Sequence, residues 1–233
     1  MSIDLLFIWE VFKELLRVVP LTLFIAFAPI VIGFVMGSLI SWIRIQRIPV
    51  LHVIATFYVS FFRGTPIIMH IMVVYVGVPL FFYTMQENYG WTITMNQIPA
   101  TAIAIFALSI TASAYLSEII RAGILGVSNG QVEAAQSIGM TTWQSMRRII
   151  LPQAIAKSIP NFVSLMIGFL HATSIAFLIS VVEITGLGKI LASINLKFLE
   201  AYIAAGILYW LLTICIEWLG AIAERRVKNY VSS

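Results

Sequence analysis

Apolar residues dominate the chain in five long runs, which cover residues 18–43, 65–83, 98–120, 159–182 and 199–223. A helix needs about 20 mainly apolar residues to cross the hydrocarbon core of a bilayer, and each run is close to that length. The runs lack the period-two alternation of a barrel strand, and in lipid a helix satisfies its own backbone polar groups. The pattern therefore predicts an all-α polytopic membrane protein with five transmembrane helices, in a single domain over residues 1–233.

Two shorter apolar segments lie outside these runs. Residues 1–16 are too mixed in charge for a cleaved signal peptide, and we expect them to form a short amphipathic helix on the outer face. Residues 50–62 are apolar but short, which predicts a segment along the inner membrane surface. We expect a turn at Gly64, after which Thr65 caps the second span with Pro66 in its first position.

Composition agrees with a membrane location. Of the 233 residues, 61% are hydrophobic and only 10% are charged, whereas soluble domains carry about 25% charged residues. The formal charge of +4 marks topology and not nucleic-acid binding, because basic residues concentrate on the cytoplasmic side of membrane proteins. With the N-terminus outside, the inner segments receive Arg44, Arg47, Arg63, Arg121, Arg147, Arg148, Lys157, Arg225, Arg226 and Lys228, and the outer ones receive only Lys13, Arg17, Lys189 and Lys197.

Two outer loops follow from this orientation, at residues 84–97 and 183–198. Tyr83, Tyr89 and Trp91 would supply the aromatic belt at the outer interface. Within the first span, Gly33 and Gly37 form a GxxxG pattern that permits close helix approach. The sole cysteine, Cys215, lies in an apolar run and is expected to be a buried, inert thiol.

The sequence offers no arrangement for catalysis. Its three histidines, His52, His70 and His171, lie in different segments without a hydrolase or zinc motif around them. The phosphate-binding loop of an ATPase is also absent, because Gly188-Lys189 is followed by Ile190. We therefore expect no catalytic residue, metal or cofactor in this chain, and energy must come from a partner.

One long segment, at about 123–158, faces the cytoplasm in this topology. The order of its turn, capping and helix-stop residues predicts two short helices with a bend at a glycine between them. The expected features are a turn at Asn129-Gly130, a helix over 131–138, a left-handed stop at Gly139, a cap at Thr141 or Thr142, and an interruption at Pro152.

The residues of this segment resemble the EAA loop of ABC importer permeases. The matching pattern is Glu133-Ala134-Ala135, then Gly139, then Ile149-x-Leu151-Pro152. Residues 62–66, 115–124, 173–174 and 209–210 further resemble the branch that imports polar amino acids, so the similarity covers nearly the whole chain. The resemblance implies the type I ABC importer permease fold, with an ATPase-coupling loop whose contact residues are Gln131, Glu133, Ala134, Ala135, Gly139, Leu151 and Pro152.

The resemblance also implies the rest of the machine. Two permease subunits would assemble, either two copies of this chain or this chain and a relative. They would work with two ATPase subunits, which hold the ATP and Mg, and with an extracellular substrate-binding protein. The subunit would be a multi-pass protein of the bacterial cell membrane, with its N-terminus outside and its C-terminus in the cytoplasm.

A polar stripe in the fourth span is the candidate substrate path. Asn161, Ser164, Gly168, His171 and Ser174 are three or four residues apart, which places them on one helical face. Two interpretations remain open: the stripe lines the translocation path, with Thr173 beside it, or it is a small-residue seam packed against another helix.

The charged residues near the spans bear on the substrate. Glu118 and Arg121 are spaced to pair at the inner end of the third span, as a structural ion pair or as part of a gate. Where the family often has Lys-Asp before its Thr-Ser, this chain has His171-Ala172. The missing carboxylate favours a zwitterionic substrate such as cystine or glutamine. Glu183, at the outer end of the fourth span, is expected to be solvated.

The alternative function is an ion-coupled secondary amino acid transporter or a channel subunit, because hydropathy alone does not separate these classes. Such carriers commonly show internal repeats and intramembrane carboxylates. The sequence shows no repeat of the five spans and no carboxylate at a span centre, and a carrier has no use for a docking loop.

Overall fold

The computed structural model describes residues 3–92 and 98–232. All regular secondary structure within these residues is helical. The helices are α1 Leu5–Leu15, α2 Val19–Ile45, α3 Leu51–Gly64, α4 Ile67–Tyr89, α5 Ala100–Leu125, α6 Asn129–Ser137, α7 Thr142–Ser145, α8 Leu151–Ala172, α9 Ile184–Asn195 and α10 Phe198–Ser232.

Five helical stretches in the described residues are long and apolar enough to cross a membrane, which confirms the five predicted spans. They are Leu5–Ile45, Ile67–Tyr89, Ala100–Leu125, Thr142–Ile179 and Phe198–Val227. The first contains α1, which joins α2 through a single 3₁₀ turn at Leu16–Val18. Asp4 caps α1 by accepting a hydrogen bond from the Phe7 N–H at 3.1 Å, in agreement with the short N-terminal helix that the sequence predicts.

Helix α5 is the centre of the bundle and packs against α2, α3, α4 and α8. Its contact with α2 is closest at the predicted GxxxG. A Cβ on Gly33 would lie 2.8 Å from the Ala112 Cβ, and one on Gly37 would lie 2.8 Å from the Ser113 carbonyl oxygen. The two glycines therefore allow the two backbones to approach closely, as the pattern predicts.

The fourth span begins earlier than predicted, and Pro152 does not interrupt it. Helix α7 continues through a π-helical turn at Met146–Ile150 directly into α8. In that turn the Leu151 N–H donates to the Met146 carbonyl, five residues back. Because proline has no N–H and its ring displaces the carbonyl four residues earlier, the wider turn lets the helix continue past Pro152.

Three other boundary predictions are wrong. The loop predicted at 84–97 starts later, because α4 runs on to Tyr89 and stops at Gly90, whose φ is +68°; residues 93–97 lie outside the described part. The loop predicted at 183–198 contains helix α9. Asn129-Gly130 lies inside α6 instead of forming a turn before it.

Two side-chain predictions also need correction. Thr65 does not cap α4: its hydroxyl donates to the Phe61 carbonyl at 2.7 Å and lies 2.6 Å from His70 Nε2. The second nitrogen of His70 lies 2.8 Å from the Thr111 hydroxyl, so this buried histidine joins α4 to α5. Cys215, predicted to be buried, is exposed on the surface of the chain.

Candidate functional site

The loop between α5 and α8 has the two bent helices that the sequence predicts. Gly139 has a φ of +80°, a conformation that glycine adopts without a steric cost. Thr141 caps α7 in a capping box with Gln144: the Gln144 N–H donates to the Thr141 hydroxyl at 3.3 Å, and the Gln144 side chain accepts from the Thr141 N–H at 2.9 Å. The reversal between the helices is thus fixed by the backbone and by local hydrogen bonds.

The outer surface of this loop is exposed, with a few apolar side chains standing out from it. Glu133 and Ala134 face outwards, whereas Ala135 is 2% exposed and packs inwards. Ile138 and Trp143, on either side of Gly139, are 77% and 71% exposed. Ile138 and Trp143 are therefore the large apolar side chains that this loop leaves open to contact.

Side chains of α8 hold the loop against the bundle. The Gln153 amide donates to the Gln131 side-chain oxygen at 2.8 Å, and the Lys157 ammonium donates to the Gly126 carbonyl at 2.5 Å. A Cβ on Gly123 would lie 2.9 Å from the Ala154 carbonyl oxygen, so α5 and α8 touch where the loop leaves the bundle. Of the predicted coupling residues, Leu151 and Pro152 therefore belong to the supporting helix, with Leu151 44% exposed.

A hollow of 540 Å³ lies beside the second half of α8. It is lined by Arg63, Ile67, Tyr115, Glu118, Ile119, Ala122, Asn161, Ser164, Leu165, Gly168 and Phe169. Three members of the predicted stripe, Asn161, Ser164 and Gly168, are exposed on this surface. The stripe is therefore not a seam packed within this chain, and its part from Asn161 to Gly168 shares a cavity with Glu118.

Glu118 is the centre of an ion cluster at the edge of this hollow. It forms a salt bridge with Arg44 of α2, and the Arg121 guanidinium lies 2.8 Å from it, which confirms the predicted pair. Arg63, at the end of α3, lies 4.0 Å away and also stacks over the Tyr115 ring. One carboxylate thus faces three guanidinium groups, and sequence reasoning missed two of them, Arg63 and Arg44, the latter 74 residues away in the chain.

The C-terminal part of the stripe, with His171 and Ser174, is arranged differently. His171 is exposed, and its Nε2 lies 3.1 Å from the Thr213 hydroxyl of α10. The Ser174 hydroxyl donates to the His171 carbonyl at 2.6 Å. Thr173 is fully buried, and its hydroxyl donates to the Leu170 carbonyl at 2.7 Å, so it lies inside the bundle and not on the stripe.

Glu183 is fully buried, which overturns the expectation of a solvated side chain. Its carboxylate accepts from the N–H groups of Thr185 and Gly186, both at 2.9 Å, and from the Tyr209 hydroxyl at 2.7 Å. Burial raises the pKa of this carboxyl, and the three donors act in the opposite direction. Sequence reasoning missed this site, although a Glu directly before Ile-Thr-Gly is a signal for a helix N-terminus.

Five helical stretches long and apolar enough to span a membrane, with an exposed two-helix loop between two of them, are the architecture of an integral membrane protein. The chain belongs to the family of binding-protein-dependent transport system inner membrane components, which it matches over residues 30–229. It is therefore a multi-pass membrane permease. This membership supports the ABC importer permease and gives no support to the ion-coupled carrier.

Relatives over the full length agree with this membership. The chain is 41% identical over 228 residues to the probable amino-acid permease protein YxeN of Bacillus subtilis, covering 98% of this chain and 97% of that one. It is 38% identical to the L-cystine transport system permease protein TcyL of the same organism, covering 98% and 93%. A solved structure of an amino acid ABC transporter with histidines matches with a TM-score of 0.83, at 31% identity, over 97% of this chain and 100% of that chain.

Proposed function

We propose that this chain is the permease subunit of an ATP-driven importer for a polar amino acid. The observation that carries the proposal is the exposed loop from Gly130 to Ser145, in which a rigid reversal at Gly139 presents Glu133 and Ala134 outwards. The relatives named as amino-acid and L-cystine permeases support the substrate class. The chain works with a separate ATPase, which holds the ATP and Mg.

The loop is the docking surface for that ATPase. Ile138 and Trp143 add apolar anchors beside the charged and small residues of the EAA pattern. Exposed aromatic side chains contribute most strongly where a partner buries them fully. The loop is a cytoplasmic feature in the orientation with the N-terminus outside, and the outer side of the membrane receives substrate from a binding protein.

The substrate path runs along the exposed face of α8. Its inner part is the hollow, where Asn161 and Ser164 lie with Glu118 and Arg63. Glu118 and its three guanidinium partners leave an excess of positive charge there, and Arg63, the most exposed of the three, is placed to bind the carboxylate of an amino acid. His171 and Ser174 continue the face outwards. Because five spans enclose little volume, a second permease subunit completes the path.

Reconstitution tests the proposal. The chain is placed in proteoliposomes with its ATPase and binding protein, and uptake of radiolabelled cystine and glutamine is measured with and without ATP. We expect uptake only with ATP, and we expect Glu133→Lys or Gly139→Asp to abolish it. Glu10→Lys, the same charge reversal at an exposed site on α1, is the matched control and should transport normally. Uptake that continues without nucleotide would refute the importer and favour a carrier.

A further inference from the structure

The buried carboxylate of Glu183 takes no part in the coupling loop or in the hollow. It caps α9 through the N–H groups of Thr185 and Gly186 and accepts a third hydrogen bond from Tyr209. A buried carboxylate is costly unless donors surround it, so three donors aimed at one side chain indicate an arrangement with a purpose beyond ordinary packing.

The Tyr209 hydroxyl is the point at which three structural elements meet. It donates to Glu183 before α9, and it lies 3.2 Å from the hydroxyl of Thr173 at the end of α8 and 3.4 Å from that of Thr185 in α9. The Ile184 N–H also bonds to the Thr22 hydroxyl of α2 at 3.3 Å. The beginning of α9 is therefore attached by side chains to α2, α8 and α10.

The connection from α8 to α9 is short and closely packed. After α8 the chain tightens into a 3₁₀ segment, Thr173–Ile179, and then passes Ser180, whose φ is +66°. A Cβ on Gly186 would lie 2.7 Å from the Val181 carbonyl oxygen, so the incoming chain presses against the first turn of α9. The end of α8 and the start of α9 are therefore joined by a short, closely packed connection.

The same stretch of α10 also holds the exposed histidine of the stripe. The rings of His171 and Tyr209 meet edge to face, with centroids 6.4 Å apart. One turn further along α10, the Thr213 hydroxyl donates to the Tyr209 carbonyl at 2.9 Å and lies 3.1 Å from His171 Nε2. His171 therefore lies against Tyr209 through its ring and against the same turn of α10 through Thr213.

We propose that Glu183 and Tyr209 are positioning residues for transport, which join α9, the end of α8 and α10 into one rigid outer block and hold His171 on the path. This inference rests on the proposed function, because it assigns the pair a role in that transport cycle. Without the hydrogen bond between Glu183 and Tyr209, the outer ends of these helices no longer move as one unit when the coupling loop moves. ATP hydrolysis then proceeds with less substrate carried.

The test measures uptake and ATP hydrolysis in the same proteoliposomes, with the ATPase and binding protein present. The variants are Tyr209→Phe, which removes one oxygen atom, Glu183→Gln, and the double variant. We expect the ratio of substrate carried to ATP hydrolysed to fall about tenfold in each single variant, the effect of one lost hydrogen bond to a charged group. The ratio in the double variant should be no lower than in the single variant with the lower ratio, because both changes remove the same interaction.

Tyr202→Phe is the matched control, because Tyr202 is an exposed tyrosine of the same helix, two turns earlier. It should leave the ratio unchanged. A wild-type ratio in Tyr209→Phe would overturn the inference, and so would equal losses of uptake and hydrolysis, which indicate general destabilisation. Wild-type proteoliposomes without ATP-dependent uptake would instead refute the proposed function, so the two failures are distinguishable.

Spin labels provide a second measurement that does not depend on transport. With the exposed Cys215 changed to serine, labels are attached at Ile194→Cys in α9 and Trp218→Cys in α10, both exposed sites. We expect the distance distribution between the labels in the assembled complex to broaden when Tyr209→Phe is added. An unchanged width would overturn the inference.

Discussion

Alanine in place of Gly33 tests whether the α2–α5 contact depends on the missing side chain. The added Cβ would lie 2.8 Å from the Ala112 Cβ, 2.9 Å from the Ser113 nitrogen and 3.0 Å from the Ser109 carbonyl oxygen. Two of these neighbours are backbone atoms of α5, so the clash is relieved only when the helices move apart. The substitution therefore acts on the most central contact of the bundle.

The size of the effect follows from two opposing contributions. Alanine favours a helix interior over glycine by about 0.5–1 kcal/mol, whereas overpacking a tight contact costs about 1–3 kcal/mol. We expect a net destabilisation of about 1–2 kcal/mol, or a Tm lowered by about 2–8 °C for a protein of this length. The measurement is the thermal stability of the purified assembled transporter in detergent, at one fixed scan rate.

Gly77→Ala is the matched control. Gly77 lies in the middle of α4, and no described atom of another helix lies within 4 Å of the Cβ it would gain. It should keep or slightly raise the Tm, because only the helix preference changes. If Gly33→Ala proves as stable as Gly77→Ala, close backbone approach does not hold α2 against α5, and the reasoning is refuted.

Three further predictions concern charged and exposed residues. A hydrogen bond from Lys197 lowers the pKa of the Asp4 carboxyl. The ionised pair therefore stabilises the fold above the usual carboxyl pKa, and this stabilisation is lost as the pH falls through the lowered pKa. The Tm of Asp4→Asn, measured between pH 7 and pH 3, should lack this part of the pH dependence. Trp143→Ala should leave the Tm unchanged but weaken ATPase binding by about 2 kcal/mol, or about 30-fold in Kd by titration; unchanged affinity would exclude Trp143 as an anchor. Glu118→Gln should cost about 3 kcal/mol of stability, because it leaves the Arg44 guanidinium, 12% exposed, without its carboxylate; a normal Tm would contradict this.

Features that depend on neighbouring residues could be predicted from the sequence. The spans follow from the length of apolar runs, and the reversal at Gly139 follows from a glycine between two helix-forming segments. The capping box at Thr141 needs only Gln144, three residues on. In each case the physical cause lies within a few residues of its effect, so a single sequence contains it.

Features that depend on distant residues could not be predicted. The burial of Glu183 is compensated by the Tyr209 hydroxyl, 26 residues later, and without that donor a solvated carboxylate is the natural expectation. Arg44 reaches Glu118 only because α2 packs against α5. Helix α9 was missed because its 12 residues, in a segment with Gly, Lys and Asn, are too short for a span. Its apolar face packs on α1 and α10, which tertiary structure alone reveals.

The unbroken course of the chain from Thr142 to Ala172 has a mechanical consequence. At 1.5 Å per residue this stretch is a rod about 45 Å long, with part of the docking loop at one end and His171 near the other. A tilt of about 5° about its middle would displace the two ends by about 2 Å in opposite directions. We expect a force on the cytoplasmic end to displace the outer end in the opposite direction, because no flexible loop lies between the two ends.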